Sequence, residues 1–197
     1  MSWEIMNMTS PNDIVDFLKA SIRFIGDAPD RKGLIDTPCR IMRSWKELFS
    51  GYQYQTQDQY KDMFTMFDSD GRDEIIVVKD IQVYSMCEHH WLPFVGKAHV
   101  GYIPYEKIAG VSKIARLVDV FARRFQIQER LTEQITEKMM QLLNPRGAIC
   151  IIEAEHYCMR MRGCNQQESK MITSSVKGIF EYDAGAKQEF LTLIKGV

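Results

Sequence analysis

The sequence predicts an α+β fold with an N-terminal helical extension, and three observations carry that prediction. Apolar residues recur at helical spacing in residues 13–25, 111–124 and 129–143, whereas residues 75–85 and 97–104 are rich in β-branched side chains. The elements follow in the order helix, helix, strand, strand, helix, helix, strand, strand. A chain of 197 residues, 45% apolar and 26% charged, is long enough and apolar enough to bury one sizeable core.

The first helix is set by Ile14, Phe17, Leu18, Ile22 and Ile25, and "GDAPDRKGL" breaks it with Gly26 and Pro29. A second helix spans "DTPCRIMRSWKELFSG", with Thr37 as N-cap, Pro38 at its first position and Gly51 beyond its end. Residues 52–73 are polar and aromatic without a period and are read as an irregular connection. "IIVVKDIQVYS" and "KAHVGYIP" then form a hairpin, which leaves "CEHH" in the joining loop. Two helices follow, the second bearing Leu131, Ile135, Met139 and Leu142 and stopping at Asn144-Pro145. A buried strand is expected over "AICIIEAEHYCM", a further strand over 170–180 and a closing helix over "AKQEFLTLI". Residues 1–73 are thus the extension and connection, and 74–197 the main domain.

Net charge is −1, so nothing global attracts nucleic acid or an anionic membrane, and neither is expected as a partner. A polyanionic ligand would need a locally basic pocket. The apolar runs are far shorter than a membrane span, and the Met-Ser-Trp-Glu start lacks the pattern of a secretion signal, so a cytoplasmic location is expected. In that setting the five cysteines point to metal binding, catalysis or plain burial rather than disulfides.

The densest chemistry is "SMCEHHWLPF". Cys87 and His90 have a C-x-x-H spacing that lets a tight turn present both to one ion. On an extended strand His156 and Cys158 would share a face, so a second Cys/His pair points one way. Cys87, His90 and Cys158 could then hold a catalytic zinc with a fourth position left for water, while His89 and His156 stay nearby for proton transfer. Taken singly, Cys158 and Cys150 read as small buried hydrophobes and His156 as a satisfied core histidine. Cys150 is about 26 Å from Cys158 along a strand, too far to share an ion, and is assigned to the core. Cys164, past a turn, is a rival ligand of lower merit, and His99 is read as structural. The basic pocket is sought at Lys113 and Arg116, three apart beside a helix start, and at Arg160 and Arg162, which strand parity would keep on the Cys158 side. Each of these cations alone reads as a solvated surface charge.

"CEHHWLPFVGKAHVGYIP", "GVSKIARLVDVFARRFQIQERLTEQI", "HYCMRMRG" and "GDAPDRKGLIDTPCR" resemble the signature segments of GTP cyclohydrolase I, from about residue 24 to the C-terminus. The resemblance implies a tunnelling fold, in which units from several subunits close a β-barrel, as a homodecamer of two pentameric rings. It implies conversion of GTP and water to formate and 7,8-dihydroneopterin triphosphate. Its zinc ligands fall on Cys87, His90 and Cys158, and its acid/base histidines on His89 and His156. Ser112, Lys113, Arg116 and Arg162 match residues that contact ribose and triphosphate, Gln128 and Glu129 those that read the guanine edge, and Arg40 a further phosphate-binding arginine. Val111, Phe125 and Cys164 depart from the usual pattern without removing any of these groups. Two readings compete: a zinc-stabilised module that binds purines without turnover, and a related enzyme acting on a pterin or deazapurine. The intact Cys, His, Cys, Ser and Glu set argues against both.

Overall fold

The computed structural model describes residues 10–195, and the chain divides into two compact units, Met1–Leu48 and Phe49–Val197. Residues 1–9 of the expected extension lie outside the described residues. In the first unit, α1 (Pro11–Ile25) begins at a reciprocal cap. The Ser10 hydroxyl accepts from the Asp13 amide and the Asp13 carboxylate accepts from the Ser10 amide. Gly26 ends the helix at φ 102°, a left-handed conformation that glycine adopts without strain. The second helix, α2 (Thr37–Leu48), takes Thr37 as its first helical residue.

In the second unit, residues 50–73 are more ordered than expected. A 3₁₀ turn (Ser50–Gln53), α3 (Gln57–Met63) and β1 (Met66–Asp68) replace the irregular connection. These pieces are too short to leave a period in the sequence, and a cation from elsewhere fixes them. The Arg124 guanidinium donates to the carbonyls of Gly51 and Tyr54 and to the Tyr60 hydroxyl at 2.8, 3.0 and 2.8 Å, and lies over the Phe121 ring.

The hairpin is longer than its β-branched runs suggest. Strands β2 (Ile76–Cys87) and β3 (Pro93–Ile103) pair antiparallel up to Met86 and Pro93, so Cys87 ends a strand instead of sitting in the loop. A bulge interrupts β2 between Val78 and Ile81; there Asp80 has φ 59°, and its amide donates to His99 Nδ1 at 3.3 Å. His99 therefore has the structural task expected of it. The short β4 (Lys107–Ala109) pairs with β1, and α4 (Val111–Ala122), β5 (Phe125–Gln126) and α5 (Gln128–Leu143) follow. Next come β6 (Gly147–His156), the one-turn helix α6 (Tyr157–Arg160), β7 (Met171–Gly178), a 3₁₀ turn (Ile179–Glu181) and α7 (Ala184–Lys195).

The main sheet has the order β5-β2-β3-β6-β7, antiparallel except for the β2–β5 pair. Alternation along the strands sends Ala148, Cys150, Ile152 and Ala154 of β6 to one face, with Leu117, Leu131, Ile135 and Met139 of α4 and α5. Ile149 and Ile151 point the other way, to a smaller cluster with Phe180 and Phe190 under α7. The start of α5 lies at the sheet end that carries Cys87 and His156, because β5 pairs with the end of β2 and Gln128 meets His156.

Candidate metal and proton-transfer site

Cys87 closes β2, and its carbonyl accepts from the Trp91 amide at 3.0 Å, which folds residues 88–91 into a tight turn with Trp91 at φ 55°. Parallel pairing of Cys87 with Gln126 holds the strand end in place, and the Glu88 amide donates to the Gln126 carbonyl at 3.1 Å. The Glu88 carboxylate is bound by the Arg130 guanidinium of α5. In this turn the Cys87 sulfur lies 3.8 Å from His90 Nδ1 and 3.9 Å from His89 Nδ1.

The second half of the site differs from the strand expected. β6 stops at His156, and Tyr157–Arg160 turn as a helix, with the Met161 amide donating to the Tyr157 carbonyl at 3.1 Å. Strand parity therefore relates neither Cys158 to His156 nor the two arginines to Cys158. The helical turn, launched from the Phe94–His156 pair of β3 and β6, carries Cys158 over the hairpin end. Arg160 is taken up by the Glu155 carboxylate and lies over the Tyr157 ring, whereas Arg162 Nη1 reaches His90 Nε2 at 3.2 Å.

The ligand atoms of Cys87, His90 and Cys158 all lie within 4.8 Å of one another. Two thiols and an imidazole at that separation suit tetrahedral zinc. The electrostatics agree: burial raises the Cys158 thiol above its ordinary range, and proximity to Cys87 raises it further. A dication between the two sulfurs removes that penalty. Cys150 is fully buried in the core, and Cys164 is exposed, its thiol directed to the Met159 carbonyl at 3.7 Å.

His156 sits half-buried against the Phe94 ring, centroids 4.7 Å apart and planes 8° from parallel. Burial lowers its pKa, and the nearby Glu129 carboxylate opposes that shift. Glu129 itself is exposed in the first turn of α5. Its neighbour Gln128 has its side chain turned inward, completely buried: the amide nitrogen donates to the carbonyls of Ile152 and Met171 at 2.9 and 3.0 Å, and its oxygen lies 2.8 Å from His156 Nε2. The Gln128 amide is thereby fully engaged inside the protein. Sequence reasoning missed this inward task, although Gln128, Thr132 and Thr136 recur every four residues on the face shared with Leu131 and Ile135, a polar stripe where a core stripe was read.

Ser112, Lys113 and Arg116 occupy the first turns of α4, with Ser112 and Arg116 exposed. Arg116 lines a cleft with Gln53, Tyr54, Asp62 and Met63. Among the described residues, none of the three is hydrogen-bonded to the Cys-His-Cys group. Arg40 lies on α2 of the first unit, paired with Asp36 at 3.2 Å.

The model of the family described as GTP cyclohydrolase I matches residues 14–195. The chain belongs to that family. It is 50% identical to GTP cyclohydrolase 1 of Wolinella succinogenes, over 90% of this chain and 94% of the relative. It is 46% identical to GTP cyclohydrolase 1 of Caldanaerobacter subterraneus subsp. tengcongensis, over 95% and 98%. Among solved structures, the apo form of the archaeosine synthase QueF-Like is similar at a TM-score of 0.45 and 16% identity, over 53% of this chain and 93% of that one, too distant to bear on function. The α+β architecture is that of the tunnelling fold, and the family is zinc-dependent and oligomeric.

Proposed function

We propose that this chain converts GTP and water to 7,8-dihydroneopterin triphosphate and formate, at a zinc ion held by Cys87, His90 and Cys158. The observation that carries the reading is the convergence of those three ligand atoms within 4.8 Å, beside an imidazole, His156, that is fixed by stacking and by a buried amide. Zinc held by these residues would supply Lewis acidity toward a water molecule beside C8 of the purine. His156 delivers a proton to N7 and makes C8 electrophilic. Glu129 accepts N1–H and the 2-amino group of guanine, a pair of adjacent donors that adenine lacks. Lys113, Arg116 and Arg162 hold the triphosphate, and His89 and Ser112 handle the protons of ribose rearrangement and ring closure.

The same proposal includes a homodecamer with sites at subunit interfaces. Two features support it: α4 presents Ser112 and Arg116 outward and unconnected to the metal ligands, and β7 is an edge strand able to continue the sheet into a second copy. A cytoplasmic location fits, because the metal requires Cys87 and Cys158 as reduced thiols. No described helix is long and apolar enough to cross a membrane.

Incubation of the zinc-loaded protein with GTP tests the reading. Formate and, after oxidation, fluorescent neopterin triphosphate are expected in equal amounts, with no product from ATP. Glu129→Ala should lower kcat/KM for GTP by roughly 30-fold to several thousand-fold, the equivalent of about 2–5 kcal/mol for leaving guanine's donors unpaired. Formate without a pterin, or unchanged GTP kinetics in assembled Glu129→Ala, would refute the corresponding assignment.

A further inference from the structure

The Gln128 side chain is a buried amide whose orientation is forced. Its nitrogen lies within 2.9 to 3.2 Å of three oxygens, the carbonyls of Ile152 and Met171 and the hydroxyl of Thr173. Carbonyls only accept, so an inverted amide would set oxygen against two oxygens and strip both carbonyls of this donor. Thr173 is itself held by Thr132 at 2.6 Å, and Thr132 bonds back to the Gln128 carbonyl at 2.7 Å, which closes a network between α5 and β7.

The remaining atom, Gln128 Oε1, faces His156 Nε2 at 2.8 Å. An amide oxygen cannot donate, so Nε2 must carry the proton. Among the described residues no protein group hydrogen-bonds Nδ1. The Phe94 ring lies 8° from parallel with the imidazole at 4.7 Å and packs against one face of it, which opposes rotation of the ring.

We propose that Gln128 is the positioning residue that fixes the tautomer of His156, keeping the proton on Nε2 and presenting Nδ1 as the nitrogen that exchanges protons with the purine. The inference rests on the role of His156 proposed above. In the forward step the Nδ1–H bond of the imidazolium breaks, its electron pair stays on Nδ1, and the proton forms the N–H bond at N7. The Nε2–H···Oε1 bond persists throughout, so the ring gains and loses its proton without rotating. The Gln128 side chain touches neither substrate nor metal in this scheme.

The tautomer can be read without turnover. The chain has four histidines, so solid-state ¹⁵N spectra of the zinc-loaded, ¹⁵N-histidine-labelled protein are tractable, and the His156 pair is assigned by its loss in His156→Asn. At a pH where His156 is neutral, a protonated Nε2 and a bare Nδ1 are expected. A proton on Nδ1 overturns the inference. Kinetics supply the second arm. Gln128→Met, folded and zinc-replete, should lose about tenfold to a hundredfold in kcat with the KM for GTP unchanged. Unchanged kcat would overturn the inference, and so would a loss carried by KM alone. If the variant fails to fold, the spectrum of the unmodified protein still decides. Absence of GTP turnover in the unmodified protein would instead refute the proposed function, a separate result from the tautomer.

Discussion

His156 shows how one side chain acquires a task from its surroundings. It does not ligate the metal in this account, yet it adjoins the turn that carries Cys158, and burial holds its pKa down while Glu129 draws it back. His156→Ala should therefore keep its zinc and lose roughly 10²- to 10⁴-fold in kcat, the usual contribution of a positioned acid. Metal content and turnover measured on the same sample check this, and a parallel fall in both would make His156 a ligand. Much of the residue chemistry was legible in the sequence. The C-x-x-H spacing of Cys87 and His90 follows from what a tight turn can present, and the turn is there. Cys158 joins them, but by a helical turn where the sequence suggested strand alternation, because the β-branched run stops at Ile152 while the alternation of side chains carries on. Gln128 was legible as a neighbour of Glu129 and illegible as a buried amide, since its partners are backbone carbonyls and a threonine more than twenty residues away.

At the level of elements, the site depends on β3 lying close against β6. Gly96 faces Ala154 across that pair, and a Cβ built on it would meet the Glu153 carbonyl oxygen at 2.0 Å and the Ala154 Cα at 2.6 Å. Backbone on both sides cannot yield as a flexible side chain would. Gly96→Ala is expected to cost at least about 1–3 kcal/mol and to disturb the Phe94–His156 stack two residues away. A lowered urea midpoint would show the cost, and an unchanged midpoint would mean that the strands have more room than these distances allow. Long elements such as α5 were readable from period alone. The 3₁₀ turn, α3 and β1 were not, because their order comes from Arg124 and from pairing with β4, neither of which is encoded nearby in sequence.

For the whole molecule, one chain brings three candidate metal ligands together but leaves the phosphate-binding candidates of α4 facing outward and, among the described residues, the β7 edge unpaired. Assembly is expected to complete the site, so sedimentation should show a species near ten chains and no active monomer; turnover by a monomer would contradict the interface proposal. GTP turnover is expected to depend on zinc held by the Cys87, His90 and Cys158 group. The most direct test is zinc content and formate release measured together in the unmodified protein and in Cys158→Ser. The account predicts one zinc per chain with turnover in the first, and loss of most of both in an assembled Cys158→Ser. Full zinc occupancy in that variant would contradict it.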